Sequence, residues 1–331
     1  MTVNKPPPSR ATLAVIDGKL SSPRQPLAPT TERAVQPVYQ HSLLCQIPMP
    51  YKAPASTERK YHHQHGQYHL WIKAGEAVDE EGREVEFPLP YGPLARLFFI
   101  HLNSEIKRQD HANRLSATTE GLIQLEVAPS MTAFARQMGV RLTGPGLRQF
   151  KKTIASVCAS TWTFAKAVDK PGYTGGHLPI IQYFDLWFPK DENQRILWES
   201  CLLLNPQYVQ SVIQHAVPLS REAIYELRAS ALALDIYSWL AHRLQRPDVQ
   251  KSGSRGLFLT WDALKRQFGP NVSRMSNFRA DFLRALRAVH DAYPQARFRI
   301  ESNRNGKPAG LRLLPSPPAV PHASLALASS L

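Results

Sequence analysis

Hydrophobic periodicity divides the chain into a patterned body and two unpatterned ends. Prolines interrupt residues 1 to about 60: Pro6-Pro7-Pro8, then Pro23, Pro26, Pro29, Pro37, Pro48, Pro50 and Pro54. So broken a segment buries too little apolar surface to offset the entropy of ordering, and residues 1–60 are expected to form a disordered Pro-rich tail. Residues 315–331, with Pro315, Pro317, Pro318 and Pro321, read the same way.

Between the ends, short strands alternate with helices. Tyr68-His-Leu-Trp-Ile72 has the period of a half-buried strand, with Glu84 to Pro88 as its expected hairpin partner across Asp79-Glu-Glu-Gly82. A helix should follow Tyr91-Gly-Pro93, placing Leu94, Leu97, Phe98 and Leu102 on one face. Leu122 to Val127 reads as a strand. A helix from Pro129-Ser130 should stop at Gly139 with a left-handed cap. Gly144-Pro145-Gly146 punctuates, and a basic helix runs from Leu147 to about Ser160. Trp162 to Val168, Ile180 to Phe188 and Ile196 to Leu204 read as strands. The second half is more helical. Helices are expected after Asn205-Pro206, after Ser220, over Ala229 to Arg246, from Thr260 to Gly269, and from Ser276 to about Tyr293. A hairpin then runs from Arg297 to Leu314 across Asn303-Arg-Asn-Gly-Lys-Pro308.

One pattern occurs twice. Ala133-Phe-Ala-Arg-Gln-Met-Gly139 and Ala263-Leu-Lys-Arg-Gln-Phe-Gly269 lie 130 residues apart and share Ala-apolar-x-Arg-Gln-apolar-Gly. Each precedes a turn, a basic helix and strands, which is the element order of a winged helix. The expected fold is therefore α+β, with tandem winged-helix (helix-turn-helix) domains at 61–204 and 205–314. In the later basic helix Phe278, Phe282, Leu286 and Val289 share an apolar face, while Asn277, Ala280, Asp281, Arg284 and Arg287 point away. In the earlier one Leu147, Phe150, Ile154 and Val157 pack, opposite Arg148, Gln149, Lys152 and Ser156. Arg, Asn and Gln can pair with purine edges in the major groove, although any amphipathic surface helix has one polar face.

Charge decides between those readings. The 331 residues carry 40 Lys plus Arg against 26 Asp plus Glu, a net +14. From Arg255 to Arg312 there are twelve basic residues and four acids, so more than half the surplus falls in the last unit. That concentration is a footprint for the phosphates of double-stranded DNA. The candidate DNA-binding residues are Arg274, Asn277, Arg279, Arg284 and Arg287, with Arg304 and Lys307 in the hairpin tip, and Arg148, Gln149 and Lys152 in the first unit. Arg279, at the edge of its helix, suits phosphate better than a base.

Other chemistry is weak. No phosphate-binding Gly-Lys-Ser/Thr loop, dinucleotide fingerprint, nucleophile motif or carboxylate cluster occurs, so neither an enzyme nor a cofactor is expected. Gln64 falls between His63 and His65, where the metal site of a DNA-nicking enzyme would need an apolar residue. His62, His63, His65 and His69 thus read as a polar linker, with no metal expected. Cys45, Cys158 and Cys201 lie far apart, which suits a reducing cytoplasm. No leader or bilayer-length apolar run is seen. Trp239 and Trp261 are expected in the core; Trp71, Trp162, Trp187 and Trp198, in expected strands, could be core or stacking platforms, with core the safer reading.

Over Ala231-Leu-Ala-Leu-Asp-Ile-Tyr-Ser-Trp-Leu-Ala-His-Arg-Leu244, Leu259-Thr-Trp-Asp-Ala-Leu-Lys-Arg-Gln-Phe-Gly269 and Phe278-Arg-Ala-Asp-Phe-Leu-Arg-Ala-Leu286 the chain resembles the RepA replication initiators encoded by plasmids of Gram-negative bacteria. The resemblance runs from about Tyr68 to Pro315. It implies a protein that binds repeated origin sites, helps to melt an adjacent AT-rich element and recruits the host initiator and replicative helicase. It further implies a homodimer–monomer equilibrium, with the first unit as the dimerising one, so Lys151 and Lys152 could face DNA or a second subunit. A winged-helix regulator that only represses its own gene would share the residue pattern.

Overall fold

The computed structural model describes residues 37–79, 81–126, 131–138, 140, 144–166, 180–185, 201–303, 306 and 308–321. In chain order the elements are β1 (Pro37–His41), β2 (Lys60–His65), β3 (Tyr68–Lys73), β4 (Glu76–Val78), β5 (Glu84–Glu86), α1 (Gly92–His111), β6 (Ser116–Ala117), β7 (Ile123–Glu126), α2 (Met131–Gln137), α3 (Gly144–Ala159), β8 (Thr161–Lys166), β9 (Ile181–Asp185), β10 (Cys201–Leu204), α4 (Pro206–His215), β11 (Ala216–Ser220), α5 (Arg221–Leu227), α6 (Ala231–Arg243), α7 (Pro247–Gln250), β12 (Leu257–Thr260), α8 (Trp261–Phe268), α9 (Met275–Ala292), β13 (Phe298–Ser302) and β14 (Pro308–Leu313).

Short side chains set the starts of several helices. The Asn205 side chain accepts from the Gln207 amide, and Ser220, Ser230 and Thr260 accept from Ala223, Ala233 and Ala263. Each satisfies a donor that the first helical turn leaves open. Gly144-Pro145-Gly146 forms the first turn of α3 instead of punctuating before it, because proline loses no hydrogen bond there.

The two copies of the sequence pattern sit in settings with a partly shared strand order. In the first unit β7 leads into α2 and α3; β8, which joins β3 and has no counterpart in the second unit, comes next, then β9 and β10, and the sheet runs β6-β7-β10-β9. In the second, β12 leads into α8 and α9, and β13 and β14 follow; the sheet runs β12-β14-β13. In both, the last strand lies between the strand before the helices and the other hairpin arm, and these pairings are antiparallel. A helix earlier in the chain packs on the second helix of each unit: α1 on α3, and α6 on α9.

Three expectations are corrected. Residues 37–60 are not a tail: β1 pairs with β11, Pro37 opposite Ser220, and Leu44, Ile47 and Met49 are buried. The distant strand edge supplies what the local pattern lacks. Nor are residues 315–320 free of the body. Ser316 and Val320 are buried, and the Ser316 hydroxyl accepts from the Arg297 amide at 2.9 Å. Finally, Tyr68–Lys73 does not pair with Glu84–Glu86. It lies between β2 and β8, while β4 and β5 pair with each other. A two-residue turn with Gly66 at φ 57° joins β2 to β3, which puts the nearer partner upstream.

One apolar core joins the two halves. Phe98, Phe99, Phe134, Phe150 and Trp162 meet edge-to-face on one side; Trp239, Trp261, Phe268, Phe278 and Phe282 cluster on the other. Arg96 of α1 and Asp235 of α6 form an ion pair at 2.7 Å inside it. No helix among the described residues is long and apolar enough to cross a membrane.

Candidate nucleic-acid interface

The α8–α9 corner is built around a glycine. Gly269 has φ −150°, so a left-handed backbone is not what requires it here. A Cβ at Gly269 would stand 2.5 Å from Cδ2 of Phe278, so the missing side chain lets α9 approach α8. Gly139 and residues 141–143 of the corresponding turn lie outside the described residues. Along α9, Phe278, Phe282, Ala285, Leu286 and Val289 are buried as the periodicity predicts. Phe282 meets Trp261 and Phe268 of α8 with ring centroids 5.8 and 5.6 Å apart.

The opposite face of α9 is open. Ser276, Asn277, Ala280, Asp281, Arg284 and Arg287 are exposed, and Arg279 is half-buried at the edge. Arg274 is exposed at the residue before the helix. Arg284 Nη1 lies 3.0 Å from Asp281 Oδ1, one turn back, which holds the guanidinium against the outer face. Such an exposed pair contributes little stability and can exchange its partner for a base or a phosphate at small cost.

The hairpin extends this surface. Arg297 and Arg299 are exposed on β13 and just before it. The Gly306 amide donates to Asn303 O at 2.9 Å and closes the tip, with Gly306 at φ 73°. Arg304 and Lys307 lie outside the described residues. Arg312, counted in the basic surplus, is committed internally: Nη2 lies 2.8 Å from Glu301 Oε2, and Nη1 donates to Arg255 O at 2.7 Å. Its hydrogen bonds hold the Glu301 carboxyl below the usual carboxylate range.

The first unit shares part of the strand order but not the surface. On α3, Leu147, Phe150, Ile154 and Val157 are buried, and Arg148, Gln149 and Lys152 are exposed. Ser156, expected on the open side, is buried, and so is Thr153. The segment Pro88–Tyr91 lies over this part of the helix, lining a small crevice with Gln149, Lys152, Thr153 and Ser156. Gln149 Nε2 donates to Thr153 Oγ1 at 3.1 Å and lies 3.4 Å from the Tyr91 hydroxyl. Ser156 stands six residues after Phe150, as Arg284 stands six after Phe278, so the position that is open in α9 is covered in α3.

The histidines do not form a linker. His62 and His63 lie on β2 and His69 on β3. His63 is buried, and desolvation lowers its pKa to about 4. His62 and His69 face the other side of the sheet, beside Trp71, which is only partly buried and so departs from the core expected of it. Among the described residues no three His, Cys, Asp or Glu are placed to hold a metal ion.

The profile of plasmid-encoded RepA proteins matches residues 89–263. The chain belongs to the plasmid-encoded RepA family. The RepA match runs from three residues ahead of α1 into α8; α9 and the hairpin lie beyond it. No curated protein sequence matches. Two solved structures are similar. A crystal structure of selenomethionine derivatives of domains 2 and 3 of RctB shares 10% identity at a TM-score of 0.49, covering 83% of this chain and 98% of that one. A second crystal structure of RctB domains 2–3 shares 12% identity at a TM-score of 0.46, covering 82% and 96%.

Proposed function

We propose that this RepA-family chain is a non-enzymatic replication initiator that binds repeated origin sites in duplex DNA through two winged-helix units, without a cofactor. The observation that carries this reading is the open face of α9, with Asn277, Arg284 and Arg287 exposed on a helix whose opposite side is anchored in the core. The α9 face reads base edges in a major groove, and the β13–β14 hairpin with Arg297, Arg299, Arg304 and Lys307 grips the backbone. Arg148, Gln149 and Lys152 add phosphate contact or a dimer surface. Contact energy of a few kcal/mol then bends the site and favours opening of adjacent AT-rich DNA, where the host initiator and helicase load.

The test is a mobility shift over a range of salt on the plasmid's own origin segment and on random duplex of equal length. A preference of about 10³-fold or more for the origin, with a steep negative salt slope, is expected. Equal, weak binding to both would overturn the reading.

A further inference from the structure

The exposed side of the β2-β3-β8 sheet carries an aromatic and basic array that the duplex-reading surface does not use. Cross-strand register places Lys60 opposite Lys73, His62 opposite Trp71 and Gln64 opposite His69. These residues project from one face, since Leu70, Ile72, His63 and Trp162 point into the core. His62 Nε2 and His69 Nδ1 lie 3.2 Å apart with ring planes 2° apart, so the two imidazoles sit edge to edge in one plane. Trp71 lies parallel to both, with centroid distances of 4.9 and 5.3 Å and tilts of 10° and 8°. At those separations the indole is offset-stacked on the imidazole pair. Lys60 and Lys73, both exposed, form the next row of the same face.

A flat aromatic stack beside a pair of cations matches the chemistry of an unpaired nucleic-acid strand: π-faces for bases, ammonium groups for phosphates. Duplex DNA offers the aromatic stack no free base plane, because its bases are already stacked. The placement also fits. β8 continues directly from α3 of the first unit, and the inner side of β2 rests on α8 of the second. The array is thus fixed next to the α8–α9 corner.

We infer that the Trp71–His62–His69 stack, with Lys60 and Lys73, is a binding platform for single-stranded DNA, distinct from the duplex-binding face of α9. This rests on the initiator reading for the choice of DNA over RNA; the platform itself does not depend on what α9 binds.

The test uses the full chain and fluorescence anisotropy with a labelled 20-nucleotide oligo(dT), the matching oligo(U), and an origin duplex, all in chelator. Wild type should bind oligo(dT) more tightly than oligo(U). Trp71→Ala should weaken oligo(dT) binding by about 10-fold or more, and Trp71→Phe should retain most of it. The exposed pair Lys60→Ala/Lys73→Ala, which disturbs no packing, should weaken it by a similar factor and flatten its salt slope, with duplex binding unchanged in each variant. Arg284→Ala should show the reverse pattern. Oligo(dT) binding that is absent in wild type, or unchanged in the Lys60→Ala/Lys73→Ala chain, would overturn the platform. Tighter binding of oligo(U) would overturn the assignment to DNA. Failure of the duplex reading would appear separately, as equal binding of origin and random duplex.

Discussion

Arg96 and Asp235 meet across 139 residues of chain, both carboxylate oxygens engaged by Nε and Nη2 at 2.7 Å. The remaining guanidinium donors reach Pro50 O, Gly92 O and Met49 O at 2.8–3.1 Å, so every N–H of Arg96 has an acceptor. Burial pushes the Asp235 carboxyl up and the Arg96 charge opposes the rise. One side chain thus ties the N-terminal segment, α1 and α6 together. Asp235→Asn should cost about 3–5 kcal/mol, because Arg96 is left charged and buried; the Arg96→Met/Asp235→Leu pair should lose much less. Urea unfolding of the three chains checks the ordering, and equal losses for single and double variants would contradict it.

Gly269→Ala tests the corner that positions α9. The new methyl group meets the Phe278 ring and must push α9 away from α8. A loss of about 1–3 kcal/mol is expected, with weaker origin binding at temperatures where the chain remains folded. A neutral effect on both would remove the packing explanation for this glycine.

Stability should fall between pH 7 and pH 5. His41 Nδ1 accepts from the Leu43 amide at 3.1 Å, so Nε2 carries the proton toward Ser211 Oγ at 2.9 Å, and the ring is neutral. Desolvation, with His215 nearby, lowers His41 to about 4; desolvation, with His65 nearby, does the same for His63. The unfolded chain takes up protons below pH 6.5 while the folded one does not. The stabilisation is therefore complete above pH 6.5 and lost progressively down to about 4. Each histidine should account for about 2 kcal/mol between pH 7 and pH 5. Denaturant midpoints for wild type and His41→Gln measure this; an identical pH slope in the two chains would contradict the assignment.

The two second helices should behave differently. Because Pro88–Tyr91 covers the Ser156 side of α3, Arg148→Ala and Lys152→Ala should weaken origin and random DNA by the same few-fold factor, lowering the salt slope by about one for each phosphate that is no longer neutralised. A sequence-dependent loss from Lys152→Ala, measured across single-base-pair variants of the site, would place a base contact in the first unit.

What the sequence discloses follows from the range of the interactions. The caps at Asn205, Ser220 and Thr260 and the buried stripe of α9 are legible because their partners lie within a few residues. The repeat Ala133–Gly139 and Ala263–Gly269 is legible as two copies of one helical pattern, but the order of the strands around each is set by pairings far along the chain. β1 is not legible: its five residues become a strand only against Ala216–Ser220, far along the chain. Lys60–His65 shows no apolar alternation because one face is polar and the other is filled by Tyr61, His63 and His65, so the His62–Trp71 stack appears only once β2 is paired with β3. The cover on α3 is likewise a tertiary fact, for nothing near Ser156 announces that Pro88–Tyr91 crosses it.

Whether α9 reads sequence is decided by Arg284→Ala on the origin site, its single-base-pair variants and random duplex. Arg284→Ala should lose about 1–3 kcal/mol of discrimination at one base pair while keeping its affinity for random DNA. An equal loss on specific and random duplex would show that Arg284 meets only phosphate, and the face of α9 could not then be the reading surface.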